Sequence, residues 1–260
     1  MGLLDGKVAM VFGVANERSI AWGITKAFYQ QGAQIGLSYA GEMLERRVKP
    51  LAEQVNCTFI EPCDVADDQQ ITRVAQRTAE HFGNIDILVH AIAFANRDEL
   101  QGAYYNTSRS GFHLAMDISV YSFTALARAF QPILRPGGAL LTLTYYGSDK
   151  VAPNYNVMGV AKAALEASVR YLANDFGSQN VRVNAISAGP IRTLAAAGVS
   201  GFKNMYQKYA EIAPLRTNVT SEDVGNAAIF LCSDLAAKTT GQVLFVDAGY
   251  SILGIVEEVD

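Results

Sequence analysis

Short apolar runs bounded by turn residues recur along the chain, each followed by a stretch of helical periodicity. The runs are Val8–Phe12, Gln34–Tyr39, Cys57–Pro62, Ile85–His90, Gly138–Thr144, Val181–Ile186 and Gly241–Val246. Nearly unbroken apolar strands are buried on both faces, which predicts a parallel sheet covered by helices. Apolar positions three and four apart mark helices over Ile20–Gln31, Asp68–Phe82, Gly111–Phe130 and Tyr155–Phe176. Gly32 and Gly83 stand where helix C-caps belong. The alternation predicts an α/β fold: a single doubly wound Rossmann-type domain over residues 1–260, with a seven-stranded parallel sheet and helices on both faces. Thr193–Ala213 is also helical in pattern but breaks at Gly198 and Gly201. Those breaks suggest a mobile substrate-binding lid at about 193–210, although an ordinary surface helix pair would read the same way.

Composition narrows the classes. At 260 residues, half of them hydrophobic, the chain can bury a core without disulfide or metal staples. A net charge of −4 with scattered Lys and Arg argues against a nucleic-acid partner. No stretch approaches the roughly 18 apolar residues of a membrane span, and Met1–Lys7 lacks a signal-peptide pattern. Cys57, Cys63 and Cys232 have no CxxC spacing, which suits a cytoplasmic protein in a reducing compartment. His81, His90 and His113 are unclustered, so no metal site is expected.

In doubly wound folds, ligands bind beyond the carboxyl ends of the strands, often with a pyrophosphate on the first helix N-terminus. The first strand runs into Gly13-Val14-Ala15-Asn16-Glu17-Arg18-Ser19-Ile20-Ala21, where GxGxxG is absent. The physical requirements are nevertheless met. Gly13 allows a tight turn, Ser19 can supply a hydroxyl and an N-cap, and Ile20 and Ala21 can offer backbone N–H groups. A plain strand-to-helix connection is the alternative. After the third strand, Asp64 of Cys63-Asp64-Val65 can accept from an adenine amino group. After the fourth, Ala91-Ile92-Ala93 can pass close beneath a ribose. The second strand ends at Ser38-Tyr39-Ala40-Gly41-Glu42 with no base placed for a 2′-phosphate, and Glu42 would repel one. NADH is therefore expected over NADPH, with Arg46 and Arg47 the residues that could oppose this.

These features resemble the short-chain dehydrogenase/reductase superfamily. The resemblance implies a catalytic Tyr that hydrogen-bonds the substrate oxygen and a Lys on the nicotinamide ribose. Typical members carry Tyr-x3-Lys, a spacing matched by Tyr146 and Lys150. Gly147-Ser148-Asp149 between them is turn chemistry, however, so the pair is not expected on one helix face. Tyr155 and Lys162 instead lead a long amphipathic helix, seven positions apart and so about 10.5 Å along its axis. This Tyr-x6-Lys spacing is similar to that of the bacterial enoyl-acyl-carrier-protein reductases, a divergent branch.

The resemblance continues through Thr142-Leu143-Thr144-Tyr145-Tyr146-Gly147, where Tyr145 takes the place of a catalytic Ser, and through Asn184–Thr193. Gly111–Phe130 contains no Asn, as in this branch. Ala91 and Ala93 stand where relatives often have Ser and Gly, and the lid is less basic than in some relatives. The resemblance implies NADH-dependent reduction of the trans-2 double bond of enoyl-acyl-carrier-protein thioesters in type II fatty acid synthesis. It also implies catalysis by Tyr145, Tyr155 and Lys162, and a cofactor held by Gly13, Ser19, Ile20, Ala40, Asp64, Val65, Ile92, Lys162, Ile191 and Thr193. The substrate would meet Ala95, Tyr145, Tyr155, Met158, Ala195, Ala196 and Phe202. Acyl carrier protein would be the partner, with Lys203 and Lys208 facing it, and the assembly a homotetramer. A carbonyl reductase using Tyr146 and Lys150, or a silent dinucleotide-binding sensor, are the competing readings.

Overall fold

The computed structural model describes residues 2–198 and 201–254. The strands are β1 (Val8–Phe12), β2 (Gln34–Tyr39), β3 (Phe59–Pro62), β4 (Ile85–His90), β5 (Leu134–Thr144), β6 (Arg182–Ala188) and β7 (Val243–Val246). They form one seven-stranded sheet in the order β3-β2-β1-β4-β5-β6-β7. Every pairing is parallel. The chain runs outward from β1 to β3 and then crosses to β4 on the other side. The direction of winding therefore switches between β1 and β4, where such folds open a ligand crevice.

Helices cover both faces: α1 (Ile20–Gln30), α2 (Glu42–Gln54), α3 (Asp68–Phe82), α4 (Arg109–Met116), α5 (Ser122–Phe130), α6 (Asn156–Gly177), α7 (Phe202–Ile212) and α8 (Ser221–Cys232). Strand alternation divides the core in two. Ala9 and Val11 of β1 enter one cluster with Ile24 and Phe28 of α1 and Val224 of α8. Val8, Met10 and Phe12 enter the other with Val74 of α3, Phe123 of α5 and Leu165 of α6. Burial of both sheet faces is the reason that the strands read as unbroken apolar runs.

Three expectations need correction. The helix expected over Gly111–Phe130 starts at Arg109 and is interrupted by a π-helical turn at Asp117–Tyr121. There Ser119 is buried and bonds the Phe94 backbone at both its N–H and its carbonyl, which draws the segment toward the loop after β4. Ser19 occupies the N-cap position of α1 but does not cap it. Its hydroxyl donates to the Asn16 carbonyl at 2.6 Å, closing the loop upstream instead. Tyr155 precedes α6 as its N-cap residue and is not its first helical residue. The Val199-Ser200 step between the expected lid breaks lies outside the described residues.

Candidate active site

The residues singled out in the sequence fall at one end of the sheet. Gly13, Ser19 and Ile20 follow β1, Ala40 follows β2, Asp64 and Val65 follow β3, and Ile92 follows β4. Tyr145 follows β5, and Ile191 and Thr193 follow β6. Gly13 has φ +108°, and a Cβ there would lie 2.1 Å from the Ala91 carbonyl oxygen. The glycine is therefore required by β4's close approach as well as by the turn. Ala40 and Asp64 are exposed, whereas Val65 is buried in the core. The Asp64 carboxylate accepts from the Ala66 N–H at 3.0 Å, closing a local turn. Ile191 packs against the core, and the Thr193 hydroxyl accepts from the Ala196 N–H at 3.1 Å.

Tyr155 sits between two asparagines of left-handed backbone, Asn154 at φ +62° and Asn156 at φ +37°. Asn tolerates this region better than other residues that carry a Cβ. The Asn156 side chain donates to the Gln101 and Gly102 carbonyls, at 3.3 and 3.2 Å. The Tyr155 ring meets Tyr145 edge-on, with centroids 4.9 Å apart and planes at 69°. Beneath it, a Cβ at Gly147 would lie 2.6 Å from the Tyr155 ring. Met158 is buried beside Val157, Leu100 and Ala115, with Ala95 and Tyr155 packed on the same cluster. The structure thus brings Ala95, Tyr145, Tyr155 and Met158 together.

Lys162 lies seven residues on and is buried, and its Nζ donates to the Leu143 carbonyl at 2.8 Å. Loss of solvent pulls its ammonium down to about 8, against a partial restoring effect of Glu166. Burial raises the Tyr155 phenol above the ordinary tyrosine value, and pushes Tyr145 up to about 12. Both tyrosines therefore hold their protons and can act as donors. Lys150, by contrast, is exposed and paired with its neighbour Asp149 at 2.9 Å. Tyr146 packs edge-on against Tyr250. The Tyr-x3-Lys pair thus has no buried ammonium.

The segment after β6 arches back over this floor. Ala196–Gly198 form a short 3-10 turn and α7 follows. The Tyr145 hydroxyl lies 3.7 Å from Met205 Sδ of α7. Phe202 is partly buried against Tyr206, with centroids 5.9 Å apart, while Leu194 and Ala195 are exposed. Two contributors were not singled out as site residues in the sequence. The Leu143 carbonyl has no sequence signal, because any residue supplies one. Gly147 was visible, but as a turn residue; its steric role depends on where Tyr155 lands.

An NAD-type cofactor fits these residues. A lysine ammonium has three donors, and Lys162 spends one on Leu143, its one hydrogen bond among the described residues. Ribose hydroxyls are suitable acceptors for the remainder. The loop at Ser19–Ile20 opens an eleven-residue helix, whose first N–H groups suit a pyrophosphate.

Comparison with known proteins agrees. The profile of the enoyl-(acyl carrier protein) reductase family matches residues 13–251. The NADH enoyl-[acyl-carrier-protein] reductase of Rickettsia prowazekii is 49% identical over 253 residues, covering 97% of each chain. The Bacillus cereus enoyl-acyl carrier protein reductase, solved with NADP+ and indole naphthyridinone, superposes with a TM-score of 0.96 at 52% identity, covering 98% of this chain and 100% of that one. The Anaplasma phagocytophilum enzyme in complex with NAD gives a TM-score of 0.95 at 49% identity, covering 98% of each chain. Fold, the Tyr-x6-Lys pair with its buried lysine and similarity over nearly the whole length converge: the chain belongs to the enoyl-acyl-carrier-protein reductase family of the short-chain dehydrogenase/reductase superfamily.

Proposed function

We propose that this chain reduces the trans-2 double bond of enoyl-acyl-carrier-protein thioesters with NADH, in type II fatty acid synthesis. The observation that carries the reading is the buried Lys162 ammonium, with its single carbonyl partner, on the helix that Tyr155 leads. When bound, the cofactor supplies the hydride for C3 of the enoyl thioester. The task left to the protein is to stabilise the enolate that develops on the thioester oxygen. Tyr155, kept protonated by burial, donates its O–H to that oxygen. Lys162 holds the ribose hydroxyls and adds positive potential at the same end of the site. Tyr145, edge-on to Tyr155, shapes the wall beside the thioester. Ala95 and Met158 line the floor, while Ala195, Ala196 and Phe202 meet the acyl chain from the lid.

The remaining cofactor contacts follow the strand ends: Gly13, Ser19 and Ile20 at the pyrophosphate, and Ala40, Asp64 and Val65 at the adenosine. Ile92, Ile191 and Thr193 flank the nicotinamide ribose. Exposed Glu42 at the start of α2 favours NADH over NADPH. One domain carries both functions, with residues 193–210 as its lid, and exposed Lys203 and Lys208 on α7 face the acidic carrier protein. The enzyme is assigned to the cytoplasm; no described helix is long and apolar enough to cross a membrane. Val160 and Tyr171 of α6 are exposed apolar positions that a homotetramer would cover, and light scattering would test that assembly.

Activity is tested by offering crotonyl and acetoacetyl thioesters with NADH. Crotonyl thioester should be reduced and acetoacetyl thioester left untouched. The reverse result would assign the chain to carbonyl reduction.

A further inference from the structure

His90 ends β4 with its side chain fully buried, and the reduction gives it no task. Its Nδ1 lies 2.8 Å from Thr142 Oγ1, and its Nε2 lies 2.8 Å from Ser122 Oγ. The Ser122 hydroxyl spends its proton on the Ile118 carbonyl, 2.6 Å away, in the π-helical turn. It therefore accepts from the imidazole Nε2–H, which in a neutral ring leaves Nδ1 to accept from Thr142. Desolvation pushes the ring down to about 3, with a smaller contribution from the charge on Lys162. The Thr142 hydroxyl also has the His90 backbone carbonyl within reach at 3.1 Å; with the ring neutral and Nε2 donating, its proton goes to the nearer Nδ1.

Thr142 faces His90 across the β4–β5 ladder. The next residue, Leu143, provides the carbonyl that takes the Lys162 ammonium. Residues two apart on a strand share a face, so Thr142 and Thr144 point to the same side of the sheet. The Thr144 hydroxyl donates to Glu166 Oε1 of α6 at 2.6 Å. The end of β5 is thus tied on both sides of Leu143: to β4 and α5 through His90, and to α6 through Glu166.

We propose that His90, as its neutral Nε2–H tautomer, is a positioning residue for the active site, fixing the end of β5 so that the Leu143 carbonyl holds Lys162 in register with Tyr155. The inference rests on the assignment of Lys162 to the cofactor ribose. It concerns NADH binding first and turnover second, which separates its failure from that of the substrate assignment.

The test compares His90→Phe with His90→Asn in the full chain. Phe keeps bulk but removes both ring hydrogen bonds, whereas Asn retains an acceptor near the Nδ1 position. NADH affinity by fluorescence, its pH dependence, turnover of crotonyl thioester and melting temperature are measured together. His90→Phe should weaken NADH binding and lower turnover by about tenfold, which corresponds to about 1.4 kcal/mol, and should displace the alkaline fall in affinity. His90→Asn should restore both to within about threefold while melting no higher than His90→Phe, the pattern of a restored bond and not of a restored core. A His90→Phe protein that melts lower yet binds NADH with wild-type affinity and pH profile would overturn the proposal. An Asn variant as impaired as Phe would do the same. Where His90→Phe fails to fold, Thr142→Val against Thr142→Ser makes the same comparison from the other end of the bond. Loss of enoyl turnover in the wild type with NADH binding intact would refute the substrate assignment and leave the His90 comparison readable.

Discussion

The floor of the candidate site and the segment proposed as its lid are built in contrasting ways. On the floor, Tyr155 is wedged between Tyr145 and the Gly147 backbone, and Lys162 is buried and anchored to β5. The lid is fastened mainly at its far end. Tyr209 of α7 is buried, stacks on Tyr250 with centroids 4.4 Å apart, and donates to the Asp247 carbonyl at 2.7 Å. Toward its start, the contacts among the described residues include an Arg192 guanidinium 4.3 Å above the Tyr206 ring and the touch of Met205 on Tyr145, while Leu194 is 53% exposed. Hydride transfer needs a fixed geometry, whereas substrate entry needs a segment that opens at little free-energy cost. Among the described residues, packing is dense around Tyr155 and Lys162 and sparser at the start of the proposed lid.

The largest expected effect lies on the floor. Tyr155→Phe should fold normally and lose about 10²–10³ in turnover, the usual consequence of removing one oxyanion donor. Near wild-type turnover in steady-state kinetics would remove Tyr155 from its assigned part. Lys162→Ala should act mainly on the cofactor, so equilibrium titration should find NADH binding weakened. Unchanged affinity would refute the ribose contact.

The same lysine makes the site pH-sensitive. With its pKa drawn down to about 8, the ammonium loses its proton as pH rises through that value, and NADH affinity should fall there. Folding stability of the unliganded enzyme moves in the opposite sense. Between about pH 8 and 10 the unfolded chain keeps this proton and the folded chain does not, so the contribution from Lys162 rises with pH across that window. NADH titrations across this range in wild type and in Lys162→Ala, which should lack the alkaline fall, check the assignment.

For the lid, hydrogen exchange over residues 193–208 should slow on forming a ternary complex, while the backbone near Tyr209 should already be protected in the free enzyme. Uniform protection along the whole segment in both states would erase the contrast between anchored and open ends. The smallest effect belongs to its surface. Lys203→Glu with Lys208→Glu should weaken activity on carrier-protein substrates, in a salt-sensitive way, while sparing coenzyme A thioesters. Equal loss on both would assign these lysines to the fold or the pocket.

Much of this was legible because a strand buried on both faces leaves no polar interruption. Each of β1–β7 overlaps one of the apolar runs, although β3 and β7 start two residues later and β5 four earlier. Helices with a thin buried stripe were less visible. Glu42–Gln54 buries only Val48, Leu51 and Ala52 and contains Pro50, so its periodicity is faint. Ser221–Cys232 was not singled out in the sequence although it buries six of its twelve residues; its capping box at Thr220 and Asp223 is the signal that could have found it. The Tyr155–Lys162 spacing pointed to a helix that the structure contains, because a period of 3.6 carries information about facing. The π-helical turn, the Leu143 carbonyl and the alternative use of the Ser19 hydroxyl did not announce themselves. Each depends on which distant backbone group comes within reach, and a local pattern does not encode that.

The contact between the turn after β5 and the start of α6 bears on how such an enzyme diversifies. A Cβ at Gly159 would lie 2.7 Å from the Gly147 carbonyl oxygen, and one at Gly147 would strike Tyr155. Two backbones and one ring thus share a space in which neither glycine can drift to alanine without moving the other. If the acyl chain meets the opposite wall as proposed, variation in acyl preference would fall there, where Leu194 and Ala195 are exposed and Phe202 packs only partly, on Tyr206. Lineages that change their substrate range would do so by rewriting the cover while inheriting the seat unchanged.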